Sequence, residues 1–189
     1  MTRLRLAVVT AGVLACISVW AAPPGDPAAG KRKTVTCNGC HDQAGMKSMP
    51  SLGAQSSTYF IAAMWAYKDN VRSHATMRDV AGSLSARDFA NLAAYYAEAP
   101  APTPSEETPA PASSARCAVC HGVDGWEVVA PDAARLAGQK ALYLEQVLRD
   151  YRSATRKHPV MQEQAAALSD QDISELAAYY ASRKGLFVK

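Results

Sequence analysis

A five-residue motif, Cys-x-x-Cys-His, occurs twice in this chain, at residues 37–41 and 117–121. Two thiols one helical turn apart can each form a thioether bond to a haem vinyl group, and the adjacent histidine can bind the iron, so the motif is typical of c-type haem attachment. The alternatives are a zinc site and a dithiol redox switch. A zinc ribbon has its two pairs about 15 to 20 residues apart, against about 75 here. No βαβ pattern of a thioredoxin-like fold accompanies them.

We therefore predict two covalently bound haem c groups. The thioether bonds are expected at both cysteines of each motif, and the proximal iron ligand is expected to be its histidine. In chain order, the predicted residues are Cys37, Cys40, His41, Cys117, Cys120 and His121.

The segment after each motif is also repeated. Residues 139–180 align with residues 55–96 at a constant offset of 84, with 15 identities in 42 positions. This duplication predicts two small domains. We place the first domain at 23–99 and the second at 116–189. The proline-rich linker between them (100–115) has a composition typical of an extended, semi-rigid spacer.

Residues 1–22 have the pattern of a cleaved signal peptide. Arg3 and Arg5 precede an apolar run, and Ala21 lies just before the expected cut. The alternatives are an uncleaved membrane tether and a lipoprotein cleavage box at Cys16, which would leave a lipid anchor. All three predict export to the periplasm, where c-type haem is attached in bacteria.

Helical signals dominate the first domain, and they predict an all-α fold. Asp26 followed by proline predicts a helix start, with a short helix over 28–35. Apolar residues at helical spacing predict a second helix over 57–70, and a capping box at Ser85 opens the last helix. Residues 71–82 are predicted to form a loop.

The second domain repeats the capping box, at Ser169 and Asp172. Its start differs from that of the first domain. Between Pro111 and Cys117 there is room for barely one helical turn, so we expect the second domain to lack the first helix. Its haem pocket should then be less covered on one side.

The sixth iron ligand separates electron carriers from catalysts. Met77 and Met161 lie at matching positions of the repeat, 36 and 40 residues after the proximal histidines. A thioether suits low-spin iron, and His/Met ligation raises the reduction potential. We therefore predict these methionines as distal ligands. The alternatives are His74 and His158, three residues earlier, and, in the first domain alone, Met46 and Met49.

Taken together, these residues resemble the dihaem cytochrome c4 family. The shared features are the two motifs, a Leu-x-x-Gln step at 52–55 and 136–139, the methionine before the last helix, and the Leu-Ala-Ala-Tyr-Tyr ending of that helix. The resemblance implies two tandem class I cytochrome c domains. In the family a proline carbonyl usually orients the proximal histidine. Pro50 fits that role, whereas the second copy has Ala134 there and a displaced proline.

The resemblance also implies a periplasmic electron carrier of a respiratory chain. It would take electrons from a bc1-type complex and pass them to a membrane haem-copper oxidase. With both irons six-coordinate, we expect no enzymatic activity and weak, salt-sensitive docking to redox partners. The alternatives are a haem subunit of a dehydrogenase complex, and a dihaem peroxidase or thiosulfate-oxidising enzyme with an open iron.

Charge adds little about partners. Removing the two leader arginines leaves 18 basic and 17 acidic residues. Four haem propionates would then bring the net charge to about −3, and nothing in the sequence resembles a nucleic-acid-binding face.

Overall fold

The structure is a computed structural model that describes residues 24–41, 46–99 and 108–184. The predicted leader, with Cys16, and residues 100–107 of the predicted linker lie outside this part of the chain. The described residues form helices and turns without strands, which confirms the all-α prediction. None of their helices is long and apolar enough to cross a membrane. The helices are α1 (Pro27–Lys33), α2 (Val35–His41), α3 (Ser57–Lys68), α4 (Ala75–Gly82), α5 (Ala86–Glu98), α6 (Ser114–His121), α7 (Ala141–Arg152), α8 (Pro159–Ala166) and α9 (Asp170–Ala181).

The last helix of each domain is its central element. In the first domain α1 and α3 pack on α5, and α4 packs on α3. Phe89 and Leu92 of α5 are fully buried against Phe60 and Met64 of α3. In the second domain α7 packs on both α8 and α9, so the arrangement of α3, α4 and α5 is repeated.

The predicted capping boxes begin these two central helices. The Ser85 hydroxyl accepts a hydrogen bond from the backbone N–H of Asp88, whose carboxylate accepts one from the backbone N–H of Ser85. Ser169 and Asp172 make the same two bonds at the start of α9. Asp26 also caps α1, as its position before proline predicted. These local predictions are confirmed.

The prediction of a loop over residues 71–82 is wrong, because residues 75–82 form α4. His74 and His158 are the N-caps of α4 and α8, and the Nδ1 atom of each accepts a hydrogen bond from a backbone N–H at 3.3 Å. Histidine is not among the residues that usually cap helices, so α4 carries no start signal, and the only signal for α8 is Pro159 at its first position. An eight-residue helix also holds too few apolar positions to show a clear period.

Helix α1 lies unusually close to α5. A Cβ atom at Gly25 would clash with the backbone carbonyl of Ala90, and one at Gly30 would clash with that of Asn91. The Asn91 side chain also accepts a hydrogen bond from the backbone N–H of Asp26 at 2.8 Å. Glycine is therefore required at Gly30 in α1, and at Gly25 just before it, if this segment is to lie so close to α5.

In the second domain, the end of the predicted linker covers the last helix. Residues 108–111 lie against α9 beside Glu175, which is the repeat counterpart of Asn91. The backbone N–H of Thr108 donates to the Ser182 hydroxyl at 2.9 Å, and its carbonyl accepts from Arg183 at 2.6 Å. Residues 108–111, the strap, therefore pack on the second domain and take the place that α1 has in the first.

The two domains contact each other directly. Ala54 of the first domain is buried against Trp126 and Ala137 of the second. The Arg135 guanidinium donates to the Ala54 carbonyl at 2.9 Å and stacks on Trp126, 4.4 Å from the ring centroid. Several polar contacts occur twice with the domains exchanged, as at the isologous interface of a twofold dimer. The duplicated halves therefore pack with pseudo-twofold symmetry.

Candidate haem sites

Each Cys-x-x-Cys-His motif lies at the C-terminal end of a short helix. Cys37 and Cys40 are in α2, and Cys117 and Cys120 are in α6. The i, i+3 spacing places both sulfur atoms of a pair on the same side of the helix. Within the described residues, no cysteine forms a disulfide. Each motif therefore presents two thiols on one helix face, as two thioether bonds to one haem require.

A backbone carbonyl orients the histidine of each motif. His41 Nδ1 lies 2.9 Å from the Pro50 carbonyl oxygen, and His121 Nδ1 lies 2.7 Å from that of Ala134. When Nδ1–H donates to the carbonyl, the ring lone pair is on Nε2, as is typical of metal-ligating histidines. Burial lowers the pKa of His121, which favours the neutral ring that can bind iron. Ala134 thus takes the place of the proline that the family resemblance implies.

The surroundings of the motifs fit a haem. Among the described helices, α2 packs lightly on α1, and α6 makes no substantial contact with any other helix. Leu52 and Leu136 are half-buried and pack against the two domain cores. A domain this small buries only about 60% of its unfolded surface, so a loosely packed motif helix needs a further apolar group to hold it. A covalently attached macrocycle supplies such a group.

Tyrosines of the last helices reach towards the motifs. The Tyr96 hydroxyl donates to the Asn38 side chain, within the first motif, at 3.3 Å. Its repeat counterpart, Tyr180, has a buried hydroxyl beside Cys117, and burial raises the pKa of both groups. Tyr179 donates to the Val123 carbonyl just after the second motif, at 2.9 Å. These contacts connect each central helix to its haem-attachment segment.

The predicted distal residues lie in the first turns of α4 and α8. Met77 and Met161 are half-buried there, and Met77 packs against the core of the first domain. His74 and His158 are exposed, and each ring packs edge-on against a tyrosine, 6.4 Å between centroids. The Nδ1 atom of each ring is already engaged by the backbone N–H of the methionine three residues on, as a helix cap. This arrangement favours the methionines as distal ligands.

Arginine and tyrosine side chains form a symmetric cluster at the domain interface. Arg72 donates to the Tyr143 hydroxyl at 2.9 Å, and Arg156 donates to the Tyr59 hydroxyl at 3.2 Å. The two contacts are repeat counterparts with the domains exchanged. Burial alone would raise the pKa of Tyr59, but the two guanidinium groups outweigh it and hold that pKa below its ordinary value.

Two buried glutamines make a second symmetric set of contacts. The Gln139 side chain accepts from the backbone N–H of Ser51 at 2.8 Å and donates to its carbonyl at 2.9 Å. Gln55 makes the same pair of bonds with Arg135, at 2.8 and 3.1 Å. These glutamines end the Leu-x-x-Gln steps of the sequence, but their partners, which lie 80 and 88 residues away, were not predicted. Their identity in both copies was the available signal.

Two helical domains, each with a Cys-x-x-Cys-His helix and a carbonyl-oriented histidine, define a tandem c-type cytochrome. The model of the cytochrome c family matches residues 110–184. Cytochrome c4 of Thiocapsa roseopersicina is 32% identical over 177 residues, which cover 82% of this chain and 91% of that protein. The chain belongs to the cytochrome c4 family. It is therefore a dihaem c-type cytochrome and an electron carrier, with two covalently bound haem c groups.

Two further proteins are similar to most of this chain. The structure of cytochrome c4 from Acidithiobacillus ferrooxidans matches with a TM-score of 0.66 at 27% identity, covering 77% of this chain and 98% of that one. A thiosulfate dehydrogenase electron acceptor from Thiomonas intermedia (strain K12) is 28% identical over 204 residues, covering 96% of this chain and 91% of that protein. The predicted family and cofactors are confirmed.

Proposed function

We propose that this protein carries electrons between redox proteins of the periplasm through two six-coordinate haems. The haem iron supplies one-electron redox chemistry, and the protein fixes its ligands and presents the haem edges to partners. Thioether bonds are assigned to Cys37, Cys40, Cys117 and Cys120. The axial pairs are assigned as His41 with Met77 and His121 with Met161. We assign the domains as 23–99 and 116–189, with the strap (108–111) packed on the second.

One observation carries this proposal: the arrangement of motif histidine and later methionine is duplicated. In both domains a motif histidine donates Nδ1–H to a carbonyl, and a methionine lies at the start of the second helix that follows. An iron that is ligated on both faces has no open position for a substrate. The duplicated arrangement therefore supports electron transfer and argues against catalysis at either site.

The methionine assignments are tested by single substitutions. The oxidised protein should show the weak red absorption band that is characteristic of sulfur–iron ligation. We expect Met77→Ala and Met161→Ala each to remove about half of this band, because each variant loses one of two such bonds. Met49→Ala is the matched control and should leave the band intact. An unchanged band in either test variant, or a band lost in the control, would overturn the corresponding assignment.

The finer proposal concerns the partners. Family membership supports a respiratory role, with a bc1-type donor and a haem-copper oxidase acceptor. The similarity to a thiosulfate dehydrogenase electron acceptor supports a second candidate, in which a thiosulfate dehydrogenase is the donor. In neither case does the chain itself transform a substrate.

Stopped-flow reduction by each donor distinguishes these candidates. The respiratory role predicts rapid reduction by a purified bc1 complex and slow reduction by thiosulfate dehydrogenase with thiosulfate, with rates that fall as salt is added. The reverse order of rates would support the second candidate. Reduction by thiosulfate alone would contradict both, because the chain would then be acting as the enzyme.

We further propose that the mature protein is periplasmic and begins near Ala22. Mass spectrometry of the purified N-terminus tests this. A lipid-modified Cys16 would establish a lipid-anchored form, and a chain that retains the leader would establish a tethered form.

A further inference from the structure

We propose that Gln139 and Gln55 are positioning residues that act crosswise, each fixing the proximal histidine of the other domain. This inference rests on the proposed ligation of iron by His41 and His121. If it is correct, the contact between the domains also orients, in each domain, the carbonyl that accepts a hydrogen bond from the proximal histidine.

The first half of the crossed arrangement runs from the second domain to the first. Gln139 holds both backbone polar groups of Ser51, the N–H at 2.8 Å and the carbonyl at 2.9 Å. Ser51 directly follows Pro50, whose carbonyl accepts from His41 Nδ1 at 2.9 Å. Fixing the peptide group after Pro50 also fixes the direction of the Pro50 carbonyl, because the two share one planar peptide unit.

The second half runs from the first domain to the second. Gln55 holds the N–H of Arg135 at 2.8 Å and its carbonyl at 3.1 Å. Arg135 directly follows Ala134, whose carbonyl accepts from His121 Nδ1 at 2.7 Å. In this domain no proline restrains the loop at residue 134, so the glutamine has a greater share in fixing the carbonyl.

Both glutamines are well restrained. Each is buried, with 9% of Gln55 and 8% of Gln139 exposed. Each side-chain oxygen also accepts from the backbone N–H of the next residue, at 2.9 Å for Ser56 and 3.0 Å for Lys140. A buried amide with its donor and acceptor both engaged cannot rotate without losing several hydrogen bonds. Each glutamine therefore fixes the orientation of the peptide group that it binds in the other domain.

The chemical consequence follows from the proximal bond. A carbonyl that accepts from Nδ1–H makes the imidazole a more basic ligand, which stabilises the oxidised iron. Loosening the carbonyl should raise the reduction potential of that haem. Simple separation of the domains would instead remove both crossed contacts and affect both potentials.

The test uses Gln139→Met and Gln55→Met in the holoprotein, since methionine is close to glutamine in size but offers no amide hydrogen bonds. The two potentials are measured by spectroelectrochemistry and assigned by nuclear magnetic resonance of the haem methyl groups of each domain. We expect Gln139→Met to raise the potential of the first haem, and Gln55→Met that of the second. The expected shift is two- to tenfold in the redox equilibrium constant, about 20 to 60 mV for a one-electron couple.

The matched control is Tyr143→Phe, which removes the hydrogen bonds from Arg72, across the same interface, and from Arg156 but touches neither proximal loop. It should leave both potentials nearly unchanged. If a methionine variant does not accumulate as holoprotein, Gln139→Asn serves instead. Asparagine is uncharged but one methylene too short to hold both backbone groups of Ser51, and it should raise the potential of the same haem.

Equal shifts in both haems, or a shift confined to the variant's own domain, would overturn the crossed coupling. Those outcomes leave the electron-carrier proposal intact. That proposal fails separately, if the unmutated protein lacks the sulfur–iron band or has an open iron.

Discussion

The two domains share what surrounds the haem-attachment motif and differ in what covers the last helix. Both domains have a histidine bonded to a backbone carbonyl, a last helix with a capping box, a methionine before that helix, and a glutamine at the interface. In the first domain α1 lies on α5 through the glycine contacts at Gly25 and Gly30. In the second, the strap is held by hydrogen bonds at Thr108. We therefore expect the repeated part to determine haem binding and docking, and the segment covering the last helix, α1 or the strap, to determine how stable each domain is on its own.

The largest effect is expected when one domain is prevented from binding its haem. The Cys117→Ser/Cys120→Ser double variant should lose the second haem and the cooperative unfolding transition of that domain. A core this small contributes no more than about 3 to 5 kcal/mol, and a strap replaces a helix there. Circular dichroism, with haem content measured alongside, checks this.

The matched variant is Cys37→Ser/Cys40→Ser in the first domain. It should lose the first haem but keep more helicity, because α1 and α5 still pack on each other. Equal helicity in the two variants would show that the cover has no influence. Full helicity in either would contradict the claim that haem completes the core.

The next effect concerns the cover of the first domain. Gly30→Ala places a methyl group against the Asn91 carbonyl, so α1 must move away from α5. We expect a loss of about 2 to 3 kcal/mol in the unfolding free energy of the first domain, measured by denaturant titration. Gly82→Ala is the control, since a Cβ there meets nothing within 4 Å. If the two variants behaved alike, the close approach of the helices would carry no energetic weight.

A smaller effect is expected at the residues that follow the ends of α3 and α7. Asn70 and Ala154 occupy the same repeat position in the left-handed region, with φ of 56° and 60°. Alanine is strained there, whereas glycine and asparagine are tolerated. We expect Ala154→Gly to stabilise the second domain by about 1 kcal/mol and Asn70→Ala to destabilise the first by a similar amount. Thermal unfolding that shifts in the same direction for both would contradict this.

The smallest effect is the pH dependence of the two capping boxes. Hydrogen bonds from Ser85 lower the pKa of Asp88, and those from Ser169 lower the pKa of Asp172. Each carboxylate therefore stabilises the fold above its unfolded-state pKa, and this contribution is lost as the pH falls through the lowered folded-state pKa. Asp88→Asn and Asp172→Asn should thus be less stable than wild type near neutral pH.

Denaturant titrations over a pH series measure this difference, which should shrink below about pH 4. Asp88 also pairs with Lys33 of α1 at 3.1 Å, so its share should weaken further with salt. A difference that stays constant down to acid pH would show that the carboxylate charge is irrelevant.

The predictable features were those encoded over a few residues. The motif spacing located the cysteines and histidines, and Ser-x-x-Asp located the starts of α5 and α9. Comparison of the two copies added the positions of Met77 and Met161. A capping histidine gives no recognisable start signal, so α4 was missed, and α8 was missed although Pro159 stands at its first position.

The unpredicted features depend on contacts between distant residues. Nothing near Gln55 indicates that its side chain binds the backbone of Arg135, because that contact exists only after the domains dock. Likewise, the composition of residues 108–111 is that of a spacer, yet Ser182 and Arg183 hold its first residue on α9. Local composition predicts the conformation of an isolated segment, but not the hydrogen bonds that it makes with a neighbouring surface.

One measurement tests the electron-carrier account most directly: the covalent haem content of the purified chain, followed by exposure of the reduced protein to carbon monoxide at neutral pH. Two six-coordinate haems predict two haems per chain and an unchanged spectrum in carbon monoxide. Fewer than two haems, or an iron that binds carbon monoxide and turns over peroxide, would contradict the account.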